Sequence, residues 1–163
     1  MSTAPWAGSK TPVGPPTSAN PTTSQLMYAA VVTGSWSGIC SLVVYLVAEL
    51  AGVDFTQTVG IGAIPPAASW LVILLTPLGA AVVFALVAGL LRGRRGAWAL
   101  SFWGGTAVAV LSLASPVGQP AGVAWSTRVV LVLMHVITWL LVVPQIARII
   151  GDSEPGRSVE RSD

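Results

Sequence analysis

From Arg128 to Arg148 the chain reads RVVLVLMHVITWLLVVPQIAR, an apolar run bounded by arginines and holding one ionisable side chain, His135. About 20 apolar residues, wound as a helix that rises 1.5 Å per residue, span the ~30 Å hydrocarbon layer of a bilayer. At that depth water cannot satisfy backbone N–H and C=O groups, so such a run is helical. Three more runs of the same character precede it, at about 26–50, 67–91 and 97–116. Composition agrees with this reading. Only 9% of the 163 residues are charged, against about 25% in soluble domains, too few to coat a surface facing water. The expected fold is all-α, a transmembrane four-helix bundle with helices at about 26–50, 67–91, 97–116 and 128–148.

The flanks read differently. Residues 1–25 carry Pro5, Pro12, Pro15, Pro16 and Pro21 among small polar residues, with no periodic apolar face. Burial there cannot offset the entropy of ordering, and a disordered tail is expected. With Lys10 alone as its basic residue and the apolar run starting only after it, the tail does not read as a secretory signal. Thr23 or Ser24 is placed to cap the first helix. The end of the chain, 149–163, alternates charge signs and is expected to be solvated.

Basic residues orient the bundle. With both termini cytoplasmic, Lys10, Arg92, Arg94, Arg95, Arg148, Arg157 and Arg161 fall on the inner side and only Arg128 on the outer, the bias that sets membrane orientation. Arg92, Arg94 and Arg95 lie in a tight hairpin, RGRRG, where they serve as topology determinants or meet anionic lipid headgroups. The small basic excess is scattered, so no nucleic acid is expected as a partner. The expected surroundings are membrane lipids, with a membrane-protein partner or a second copy of the chain as further possibilities.

Packing signals are weaker. Gly34 and Gly38, with Thr33 and Ser41 beside them, form a small-residue face that allows close helix approach, within the chain or between copies. Thr76-Pro77 falls mid-helix, where proline frees a carbonyl and favours a kink. Cys40 is a single cysteine in an apolar run, so no intrachain disulfide is possible.

Ionisable groups inside a membrane segment are costly and mark candidate sites. His135 is the one near the bilayer middle. Arg128 stands two turns earlier on nearly the same face, and Glu49 closes the first helix on the same outer side. His135, Arg128 and Glu49 therefore form a candidate polar cluster, read as a proton relay or small polar pocket. The plainer reading is an Arg–carboxylate pair at the helix ends, with His135 bonded to a hydroxyl such as Ser41, Ser112 or Ser115. No cofactor is expected: a b-type haem needs two axial ligands, zinc catalysis about three protein ligands, and the chain has one histidine. No phosphate-cradling glycine loop is present, and no Ser-His-Asp arrangement stands out.

The run LSLASP from Leu111 to Pro116, the stretch LVLMHVITWLLVVPQIAR from Leu131 to Arg148, and Thr76-Pro77 with its Gly/Ala-rich continuation together resemble an actinobacterial family of small four-helix membrane proteins of unknown function. The resemblance covers about residues 26–148. It implies the architecture and carries over no activity or site. Two functions follow as expectations. The first is a small multi-pass protein of the cell membrane without an evident catalytic site, serving as a structural or accessory subunit. The alternative is a small-solute, proton-translocating or pocket-bearing protein that uses His135 with Arg128 and Glu49. An enzyme acting on a lipid-soluble substrate ranks third.

Overall fold

The computed structural model describes residues 21–62 and 66–154, with the backbone alone at 66–68. Of the expected disordered tail 1–25, residues 1–20 lie outside the described residues, and Thr23–Gln25 are already helical. Of the expected solvated tail 149–163, residues 155–163 lie outside the described residues, while Ile150 and Ser153 are buried because the last helix runs on to Gly151. Among the described residues, five helices stand in chain order: α1 Thr23–Leu50, α2 Pro66–Gly89, α3 Ala97–Ser112, α4 Ala114–Val117 and α5 Trp125–Gly151. Four segments are long and apolar enough to cross a membrane, α3 and α4 together counting as one. No strand occurs among the described residues.

The helix ends follow local chemistry. Thr22, not Thr23 or Ser24, caps α1. Its hydroxyl accepts from the Gln25 N–H at 3.2 Å, while the Thr22 N–H donates to the Gln25 side chain at 2.8 Å, a reciprocal capping box. Thr22→Ala is expected to cost about 1 kcal/mol, checked by denaturant titration in mixed micelles. The third transmembrane segment does not run unbroken to Pro116. Pro116 has no N–H for the Ser112 carbonyl, so the helix breaks at Leu113 and restarts, leaving proline in the first turn of α4 where that N–H is not needed. The last helix is longer than its apolar run at both ends, beginning at Trp125 and ending at Gly151.

The helices run up and down in alternation. α1 lies between α2 and α5, and α3 packs on the far side of α5. The lateral order is therefore α2, α1, α5, α3. Large apolar side chains cover the outward faces, among them Val43, Val47, Leu86, Val87, Val129 and Leu133. Helices apolar all round suit a lipid surrounding.

Two apolar cores lie at opposite ends. One joins Leu26, Ala30, Ala85, Val142, Ile146 and Ile150; the other joins Tyr45, Phe55, Ile73, Leu131 and Met134. Polar ties fasten each end. At the first, Arg92 donates to the carbonyls of Gly89 and Pro21 and to the Thr23 hydroxyl, and the Gly93 N–H donates to the Ser153 hydroxyl. At the second, the Val59 N–H donates to the Gln119 side chain at 2.8 Å, and the Thr127 hydroxyl donates to the Asp54 carbonyl at 2.9 Å.

Candidate functional site

Between the two cores a cavity of about 490 Å³ opens where α2 and α3 part over α5. α2 and α3 converge below it, where the ring of Phe84 lies against Gly105, so close that a Cβ at Gly105 would stand 2.8 Å from the ring. Above that point they diverge, since α2 is held by α1 and α3 by α5. Ile73, Pro77 and Ala80 form one wall; Val108, Ala109 and Ser112 form the other. Leu131, Met134, His135 and Thr138 of α5 make the floor together with Ser41 of α1, and Gly60, Ile61 and Gln119 close the outer end. Volumes of roughly 300–1,000 Å³ are typical of small-molecule sites.

The polar atoms around the cavity divide into satisfied and unsatisfied. The Thr138 hydroxyl accepts from Ser37 at 2.8 Å and donates to the Met134 carbonyl at 3.0 Å. The Trp139 ring N–H donates to the Thr106 hydroxyl at 3.0 Å. Thr76 and Ser112 donate back into their own helices, the usual fate of such hydroxyls in apolar surroundings. Ser41 does not. It is 1% exposed and its Oγ has no partner, an omission that costs about 1–3 kcal/mol. The other orphaned buried hydroxyl among the described residues, Ser101, faces away from the cavity lining.

His135 is half-buried, and its Nδ1 lies 2.8 Å from the Leu131 carbonyl. It is not bonded to Ser41, Ser112 or Ser115. A carbonyl only accepts, so Nδ1 carries the hydrogen, and in the neutral ring Nε2 is a bare acceptor. Pro77 likewise offers no N–H to the carbonyl of Ile73, another residue of the cavity wall.

The structure gives His135, Arg128 and Glu49 separate partners. Arg128 turns outward and donates to the carbonyls of Val117, Gln119, Pro120 and Val123, with Trp125 beneath its guanidinium at 5.4 Å. It closes the carbonyl end of α4 and the loop after it. Glu49 is exposed and, among the described residues, accepts only from the Tyr45 hydroxyl, at 3.5 Å. The expected Arg–carboxylate pair is not assembled, because the carbonyls at the end of α4 and in the loop after it occupy the guanidinium. In the neighbouring loop, the Asp54 carboxylate accepts from the hydroxyl and backbone N–H of Thr56, which holds its pKa below the ordinary 3.8.

Gly34 and Gly38 face α2 inside the chain. A Cβ at Gly34 would stand 2.8 Å from the Leu78 Cα, and one at Gly38 would collide with the Leu74 carbonyl. In the hairpin, Arg92 is spent on the ends of α1 and α2, whereas Arg94 and Arg95 are exposed. Nothing in the sequence singles out Gln119 or Thr138, yet Gln119 seals one end of the cavity, and Thr138 lines it while accepting from Ser37 of α1. No motif distinguishes these residues from other small polar residues.

Residues 21–151 match the model of a protein family whose description is a family of unknown function, DUF6069. No curated protein and no solved structure matches the chain.

Proposed function

We propose that this chain, which belongs to the DUF6069 family of unknown function, is a multi-pass protein of the cell membrane that takes an apolar small molecule from the bilayer into the cavity between α2 and α3. The observation that carries this reading is the cavity itself. It is about 490 Å³ in volume, walled by apolar side chains and placed at the height of the transmembrane helices. The positive-inside bias supports an orientation with both termini cytoplasmic, the arginine hairpin within and the Gln119-sealed end outward. A role as accessory membrane subunit is the second reading. It is favoured by the outward face of α3, where Trp103 and Leu111 are exposed and Gly104 meets nothing within 4 Å.

Photolabelling in phospholipid vesicles tests the first reading. Adamantyl diazirine, a small apolar photoprobe, is expected to label Ile73, Val108 and Met134 above the lipid-facing residues, and Ala109→Trp is expected to abolish that excess. Equal labelling of cavity and lipid faces, unchanged by Ala109→Trp, overturns the reading.

A further inference from the structure

We infer, resting on the cavity reading above, that the molecule bound there carries an uncharged hydroxyl on an apolar body, with the hydroxyl read by His135 Nε2 and Ser41 Oγ. Both residues line the cavity, and neither atom has a partner among the described residues. They also stand at one depth. His135 lies ten residues into α5 and Ser41 nine residues before the end of α1, so both are about 15 Å below the outer helix ends.

The chemistry of the head group follows from what these atoms lack. Nε2 of the neutral ring only accepts, so the occupant must donate to it. Ser41 can donate as well as accept, and one turn about its Cα–Cβ bond presents it to an occupant. A hydroxyl meets both requirements at once, donating to Nε2 and accepting from Ser41. A ketone or ether leaves Nε2 unserved.

Charge excludes the commoner membrane molecules. The basic groups nearest either end, Arg128 and Arg92, are occupied by carbonyls and by the Thr23 hydroxyl. A phosphate or carboxylate head would then sit uncompensated at mid-membrane depth, where charge is costly. An alcohol or phenol on a hydrocarbon body bears no such penalty.

The test is competition against adamantyl diazirine labelling of the wild-type protein in phospholipid nanodiscs. The competitors are 1-dodecanol, its methyl ether and dodecane, each dosed by mole fraction in the bilayer. Dodecanol is expected to compete about tenfold better than the ether or the alkane, the worth of roughly one hydrogen bond in apolar surroundings. His135→Phe and Ser41→Ala are each expected to shrink that preference, His135→Phe more, while dodecane competes as before. Equal competition by all three on the wild type overturns the hydroxyl inference and leaves the cavity reading standing. Failure of all three to displace the probe overturns both. Because the decisive comparison changes the ligand, it holds even if His135→Phe does not fold.

Discussion

Gly38→Leu is expected not to reach the native fold, and Gly38→Ala is expected to lose about 3 kcal/mol. At Gly38 the backbone of α1 approaches that of α2 so closely that an added Cβ meets the Leu74 carbonyl oxygen. That atom belongs to a helix backbone and cannot swing aside, so the helices must separate along the whole α1–α2 contact. Overpacking of a tight interior costs ~1–3 kcal/mol where side chains can adjust, and here the obstruction is rigid. Gly104→Ala is the control. Its Cβ meets nothing within 4 Å, so the substitution should change stability by less than about 1 kcal/mol, on the stabilising side, because alanine favours helix over glycine. Denaturant titration of both variants in mixed micelles checks the pair. Equal losses would mean that glycine acts through helix propensity and that close approach is not what α1 needs.

Arg128→Met is the second large effect, expected at about 2–3 kcal/mol. The guanidinium satisfies four carbonyls at the end of α4 and in the loop that leads to α5. Hydrogen bonds to charged groups contribute ~1.5–3 kcal/mol each when buried, less where water replaces them, and Arg128 is half-exposed. Arg128→Lys should recover at most half of the loss, since an ammonium cannot reproduce the planar fork. Glu49→Gln should stay within ~0.5 kcal/mol, as expected of an exposed carboxylate with one long contact. The same micelle titrations measure all three. A Glu49→Gln loss as large as that of Arg128→Met would restore the ion pair that the residue order suggested and remove the loop-closing role assigned to the guanidinium.

The contrast between these residues shows where sequence reasoning carries and where it stops. Arg128, His135 and Glu49 are recognisable from sequence because ionisable groups are rare in apolar runs. Their spacing along the helices puts Arg128 and His135 near one face and Glu49 at the same end. Spacing does not say that the loop 117–124 returns over Arg128 with its carbonyls free, and that return decides the partner. Ser41 is harder still. Small hydroxyls abound in these helices, and Thr33, Thr76, Thr106, Ser112 and Thr138 bond back to their own backbone; what singles Ser41 out is an orphaned hydroxyl beside a cavity, a property of the assembled helices alone.

Length and polarity by themselves determined the architecture. Four runs poor in charge and long enough for a bilayer leave helices as the outcome, and the proline at 116 and the arginine hairpin mark where they turn. The faces of those helices were beyond reach, since a helix surrounded by lipid gains nothing from polar residues on its outer side. With both faces apolar, no periodic pattern separates core from surface. Tertiary structure alone therefore decided that Gly34 and Gly38 meet α2 and that α2 and α3 diverge over α5. It also brought Ser41 and His135, from opposite ends of the chain, to the floor of one cavity.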